Sequence, residues 1–257
     1  MRHLLSRLVN VPSQYSHFFN TRSRRQQAPR LLASDGSKAD LDAVFNSIGL
    51  TKSYDTMDFS GLRADTQGWE SQHRIFQRVF DTYNPSVVVE VGTWKGASIL
   101  HMDMLSQRLG CDTRFICVDT WLGSNDGLWL DPEYRKSLML RDGYPSMFRQ
   151  FIFNVKQRGA TDRIYPLPMT STCGAYLLKR LNVMADAIYV DAGHEDDEVY
   201  TDLTRYFEIL NPGGAMFGDD YSSDWQGVKD AVDRFCEERN IPLIVDESKW
   251  LFEKPKA

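Results

Sequence analysis

No apolar run in this 257-residue chain approaches the ~18 residues that a membrane-spanning helix requires, so no span is expected. Cysteine is scarce. Cys111, Cys117, Cys173 and Cys236 form neither a C-x-x-C pair nor a Cys/His spacing suited to zinc. They read as reduced, mostly buried thiols, in keeping with an intracellular compartment. Acids are missing from the first 30 positions, which hold six arginines: Arg2, Arg7, Arg22, Arg24, Arg25 and Arg30. With Leu4, Leu5, Leu8 and Val9, that start has the composition of a mitochondrial or plastid transit peptide, and an unaddressed cationic tail would look the same. No clean apolar core precedes a small-residue cleavage site, which excludes a secretory signal. Beyond residue 30 the balance reverses to 24 basic against 35 acidic residues, about −11. Such a body lacks the basic surface that nucleic-acid binding demands, so the chemistry should concern a small molecule. Also missing is G-x-G-x-x-G, the dinucleotide fingerprint, which speaks against an NAD-dependent oxidoreductase.

What is present divides the chain into three stretches. Residues 1–40 form the basic tail. Residues 41–84 read as a helical lead-in, in which Phe76, Val79 and Phe80 share one helix face and Asn84-Pro85 ends the segment. Residues 85–257 form the main domain. There Val87-Val88-Val89 is an apolar run without polar alternation, as in a central parallel strand covered on both faces. A helix over 96–109 stopped by Gly110, a strand at 114–118, a weaker one at 164–167, and strands at 187–190 and 215–217 follow. Val199, Leu203, Phe207 and Leu210 mark a helix face whose first turn carries Glu195, Asp196, Asp197 and Glu198, and Pro212-Gly213-Gly214 should stop it. Val228, Ala231, Val232 and Phe235 mark a further helix, and residues 243–252 read as a hairpin. Alternating strands and helices give an α/β fold with a mostly parallel sheet and helices on both faces. Ligands of such sheets bind beyond the carboxyl ends of the strands.

The polar residues of interest fall at those ends. Glu90-Val91-Gly92-Thr93-Trp94-Lys95-Gly96 is a turn whose glycines allow close backbone approach. A carboxylate at Glu90 would repel a pyrophosphate and attract a cationic amino group. Asp119, followed by Thr120 and Trp121, stands where nucleoside-binding sheets put an acid on ribose hydroxyls. Trp121 would either cover a ligand or pack the loop. Asp191, Asp219 and Asp220 end two adjacent strands, and three converging carboxylates call for a cation; hard oxygen donors suggest Mg²⁺. His194 is the one histidine of five at such a mouth, placed for proton transfer. Residues 122–158 exceed a simple crossover and, with Trp129, Tyr134, Tyr144 and Phe148, would form either a substrate lid or a packed extra helix.

Six ordered blocks, VVVEVGTWKGASIL, VDTWLGS, PLPMTS, IYVDAGHEDDEV, LNPGGAMFGDDY and WQGVKDAVDRF, together resemble the macrocin O-methyltransferase and cephalosporin-hydroxylase-like group of small-molecule methyltransferases. The likeness runs over residues 68–254. It implies a Rossmann-like, seven-stranded sheet with one antiparallel strand supplied by the final hairpin. It implies S-adenosylmethionine as methyl donor, with Glu90, Gly92 and Gly96 on its methionine part, Asp119 on the ribose, Ser171 on the adenine or ribose side, and Thr93 and Thr120 also among the cofactor-binding residues. Asp191 would serve both cofactor and metal; with Asp219 and Asp220 it would bind Mg²⁺, and His194 would be the general base. Many relatives read D-G-D-H where this chain has Asp191-Ala192-Gly193-His194, so the second acid is missing. The expected partner is a small-molecule acceptor bearing a hydroxyl. A binding protein that keeps the cofactor without turnover stays open, as does a homo-oligomer.

Overall fold

The computed structural model describes residues 40–256 except 51, 52 and 126, so all but the last residue of the basic tail lies outside the described residues. Seven strands form one sheet: β1 (Val87–Val91), β2 (Arg114–Asp119), β3 (Ile164–Pro168), β4 (Ala185–Val190), β5 (Leu210–Gly218), β6 (Ile244–Asp246) and β7 (Lys249–Glu253). Their order is β3-β2-β1-β4-β5-β7-β6. The first five run parallel, and β7 pairs antiparallel with both β5 and β6. Among the described residues, ten α-helices accompany the sheet: α1 (Leu41–Ser47), α2 (Ser53–Thr56), α3 (Arg74–Tyr83), α4 (Ala97–Leu109), α5 (Gly127–Leu130), α6 (Pro132–Arg135), α7 (Met147–Arg158), α8 (Ser171–Arg180), α9 (Asp196–Phe207) and α10 (Gln226–Arg239). This is the α/β, seven-stranded, Rossmann-like sheet that the strand pattern and the family likeness imply.

The valine run of β1 explains why a sheet forms here. All five of its residues are buried. Val87, Val89 and Val91 join the core shared with α8, α9 and α10, whereas Val88 joins the core shared with α3, α4 and α7. A strand covered on both faces gains from apolar residues at every position. Among the helices, α3 buries Ile75, Phe76, Val79 and Phe80; His73 Nδ1 accepts from Ile75 N at its start, and left-handed Asn84 ends it before Pro85. Between Gly96 and Gly110, both left-handed, α4 fills its expected span.

Two expectations are corrected. The lead-in is only partly helical, because residues 57–73 run without regular structure across α7. Buried polar side chains pin this strap: Lys95 Nζ donates to Asp65 Oδ2 (2.7 Å), and Asn154 Nδ2 donates to the Asp65 carbonyl (2.7 Å). Leu210 belongs to a strand and not to the helix before it. It pairs with Ala185, and the ladder then shifts register before Ala187–Ala215. Pro212 has no N–H for a ladder and Gly213 takes a left-handed φ of 78°, so Pro-Gly-Gly makes an irregularity inside β5 instead of a stop before it. No helix among the described residues is long and apolar enough to cross a membrane, and all four cysteines are free, with Cys173 exposed and Cys111 half-buried.

Candidate active site

Strand order reverses between β1 and β4, the place where an open α/β sheet leaves a crevice. A cavity of about 520 Å³ lies there, walled by the carboxyl ends of the strands and by the first turns of α8 and α9. Gly92 closes its floor. A β-carbon on Gly92 would stand 1.8 Å from the Asp191 carbonyl oxygen, and its φ is 82°, so β1 and β4 can approach this closely only through glycine. Gly96, with φ 91°, lets the α4 start pass the Phe151 ring.

Of the residues expected to hold a cofactor, Gly92, Asp119, Thr120, Ser171 and Asp191 line the cavity. Asp119 organises the turn. Its Oδ2 accepts from the backbone amides of Thr93 and Trp94 (2.8 Å each), and its Oδ1 accepts from Trp121 N (2.6 Å). Burial raises the Asp119 pKa, and those amides oppose the rise. The Thr120 amide adds to them, and the carboxylate still lines the cavity, where it can meet a ligand hydroxyl. Thr93 and Gly96 shape the turn from behind. Glu90 does not reach the cavity, because β1 alternates and Glu90 shares the face of Val88. There it is fully buried and accepts from Ser98 Oγ at the start of α4. Burial pushes its pKa well above the usual carboxylate range. Contrary to the expectation, Glu90 stands behind the cavity wall and braces the turn onto α4.

The acid trio separates. Asp219 and Asp220 are neighbours, but Asp220 has a left-handed backbone, φ 64°, and their side chains diverge. Asp220 Oδ2 lies 3.1 Å from His194 Nε2. Asp219 turns inward, where Lys249 Nζ pairs with its Oδ2 and its Oδ1 accepts from Asp220 N (2.8 Å). At this mouth the group whose ligand atoms come within 4.8 Å of one another is Asp191, His194 and Asp220, with the histidine where Asp219 was expected; a second such group, His73, Asp246 and Glu247, lies elsewhere among the described residues. This set does not fit the all-oxygen Mg²⁺ shell of the expectation: one acid is engaged by lysine and a nitrogen replaces it. Burial, then Asp219 and Asp220, raise the Asp191 pKa, while Lys249 opposes them. The His194 ring lies against Trp225, with centroids 4.0 Å apart.

Several contributors went unread in the sequence. Asp197, Glu198, Thr201 and Asp202 of α9 enter the cavity wall, as do Trp94, Ser124 and Asn125. Asp202 sits three residues past Val199, on the flank of the core-facing stripe, which was a usable signal. Trp121 takes the packing role: it is 1% exposed, donates to the Trp94 carbonyl (2.8 Å) and lies against Phe148 and Phe151. Over residues 122–158, α7 is a packed helix, and Gly123 and Met147 reach the cavity, whereas Trp129, Tyr134 and Tyr144 are exposed. Among the described residues the wall carries five acids (Asp119, Asp191, Asp197, Glu198, Asp202) and no lysine, arginine or histidine. Such a cavity favours a cationic ligand and disfavours a pyrophosphate.

No curated protein sequence matches this one. Solved structures do. An O-methyltransferase from Bacillus cereus in complex with S-adenosylhomocysteine aligns with TM-score 0.50 at 13% identity, covering 88% of this chain and 94% of that one. TomG from Streptomyces achromogenes, an O-methyltransferase of tomaymycin synthesis in complex with S-adenosylmethionine, aligns with TM-score 0.50 at 12% identity, covering 84% and 96%. CalS11, a calicheamicin methyltransferase, aligns with TM-score 0.50 at 17% identity, covering 70% and 75%. At these identities the likeness establishes the fold. Residues 89–221, just over half the chain, match the methyltransferase-domain family, and they run from β1 to the loop after β5. The chain therefore belongs to that family of methyltransferases, on the class I fold of the S-adenosylmethionine-dependent enzymes.

Proposed function

We propose that this enzyme transfers the methyl group of S-adenosylmethionine to a hydroxyl of a small-molecule acceptor. The observation that carries the reading is that every charged residue described in the cavity wall at the β1/β4 crevice is an acid. A sulfonium and an amino group are both cationic, so an acidic, partly desolvated cavity attracts them more strongly than water does. Gly92 lets the methionine part lie close to the backbone, and the Asp119 carboxylate, at the cavity wall, takes a ribose hydroxyl. Ser171, at the first turn of α8, lies on the far side with Thr170 and Asp202.

Beside the cavity, past Ala192 and Gly193, stands His194 with Asp220. The donor's methyl is already activated, so the protein must align the acceptor oxygen and take its proton. As the oxygen–carbon bond forms, the sulfur–carbon bond breaks and S-adenosylhomocysteine leaves. The acceptor proton passes to the His194 imidazole, and Asp220 at 3.1 Å stabilises the imidazolium that results. Alignment is worth on the order of 7 kcal/mol in favourable cases, so a positioned base and an aligned donor suffice without covalent catalysis.

Calorimetric titration with S-adenosylhomocysteine and, separately, with NAD tests the cofactor. Binding of the first and not the second is expected. Binding of NAD alone refutes the reading. Incubation with labelled S-adenosylmethionine and a panel of sugars, phenols and other hydroxylated molecules then tests transfer. Label recovered on nitrogen or carbon instead of oxygen would refute the hydroxyl acceptor.

A further inference from the structure

Three acids at one strand mouth require a compensating positive charge, and the chain itself supplies one. Lys249, the first residue of β7, is 0% exposed. Its Nζ pairs with Asp219 Oδ2 and donates to Tyr189 Oη at 3.1 Å. The rings of Phe76 and Tyr189 lie 5.7 and 5.6 Å from the ammonium, close enough for cation–π attraction. Tyr189 Oη in turn donates to Asp191 Oδ2 at 3.1 Å. Lysine can only donate, so the direction of this chain is fixed from Lys249 through Tyr189 to Asp191. One ammonium thus compensates Asp219 directly and Asp191 through a phenol.

We infer that Lys249 is the resident counter-ion of this mouth, standing where the sequence pattern calls for a divalent cation, and that methyl transfer in this enzyme runs without a metal. The inference rests on the methyl-transfer reading above. Asp219 has little capacity left for a metal: Lys249 holds one oxygen, and the other accepts from Asp220 N with Ser248 Oγ 3.1 Å away. A metal taking Asp219 would strip a buried ammonium of its carboxylate, which is strongly destabilising. The remaining donors are Asp191, Asp220 and His194, and His194 Nε2 is already engaged with Asp220. Mg²⁺ would then have Asp191 and Asp220 as its acids, and Asp220 could serve it only by giving up its pairing with His194. Lys249 does not line the cavity. It is a positioning residue that fixes Asp219, Tyr189 and Asp191 and leaves the His194–Asp220 pair to take the proton.

The test uses the full chain after exhaustive chelation. Mn²⁺ binding is read by electron paramagnetic resonance, a measurement that needs no acceptor, and turnover is read in EDTA and in Mg²⁺. For the wild type, stoichiometric protein should leave the free Mn²⁺ signal unquenched, and turnover should be equal in the two buffers. Lys249→Gln removes the charge and frees Asp219; it should gain Mn²⁺ affinity by about tenfold or more and become sensitive to EDTA. Lys249→Arg keeps the charge and should behave as the wild type. If Lys249→Gln does not fold, the wild-type Mn²⁺ titration still decides. One Mn²⁺ bound per wild-type chain and lost in Asp220→Asn, or turnover abolished by EDTA and restored by Mg²⁺, overturns the inference. Calorimetry with S-adenosylhomocysteine separates the two readings: a protein that binds it and also binds Mn²⁺ defeats this inference alone, while no binding defeats methyl transfer.

Discussion

Asp202 offers a stability experiment whose sign and size follow from its surroundings. It is 3% exposed, in the α9 wall of the cavity. Burial, opposed by a hydrogen bond from Ser171 and aided by Glu198, raises its pKa from 3.8 to about 7. Because the folded value lies above the unfolded one, folding takes up a proton between about pH 4 and pH 7. The contribution of Asp202 to stability is therefore greatest below pH 4, falls as pH rises through that window, and levels off above it. The slope is about 1.4 kcal/mol per pH unit, for a ceiling on the order of 4 kcal/mol. Relaxation and water entry around the charge bring the expected effect to about 2 kcal/mol. Asp202→Asn keeps the shape and carries no charge, so it should be the more stable protein at pH 8. For a domain of this size that is about 4–8 °C in Tm. The advantage should shrink steadily on acidification and vanish near pH 4. Urea denaturation of both proteins at pH 4, 5, 6, 7 and 8 measures it. A constant offset across pH, or a less stable Asn variant at pH 8, would refute the burial argument.

Three further outcomes are expected. Gly92→Ala sets a methyl 1.8 Å from the Asp191 carbonyl at a φ of 82°, so β1 and β4 must part; the loss should exceed about 3 kcal/mol, seen as insoluble or cold-labile protein. His194→Gln should keep S-adenosylhomocysteine affinity within a few fold and lose about 100-fold or more in turnover, measured by calorimetry and label transfer; equal losses in both would assign His194 to binding. Trp121→Ala should lower stability by about 3–5 kcal/mol in urea, because the ring is buried against Phe148 and Phe151; an affinity loss without a stability loss would return Trp121 to the cavity.

The sheet was legible because its signals are local. Three consecutive valines at β1, glycine at both ends of α4 and the Asn84-Pro85 stop each act within a few residues, and local chemistry decides them. The site was legible only as far as its residues stand at strand ends. Gly92, Asp119, Thr120, Ser171 and Asp191 could be placed without knowing which way a strand is pleated. Glu90 could not, because one residue of register moves a side chain from the crevice to the α4 face. Asp219 and Asp220 show the same limit at longer range. Both end β5 and look equivalent in the sequence, and what divides them is Lys249, which arrives 30 positions later on the antiparallel strand that closes the sheet. A lysine in a hairpin reads as solvated, since long charged side chains are seldom fully buried without a partner. Here the partner exists only once β7 lies beside β5, with Trp250 opposite Gly218. Gly218 has no side chain, and a β-carbon there would stand 2.4 Å from the Trp250 ring, so that glycine lets β7 seat against β5. The same seating buries Lys249 beneath Asp219. The charge balance of the mouth is thus a tertiary property, fixed by one small residue in β5 and one cation in β7, and no reading of either segment alone contains it.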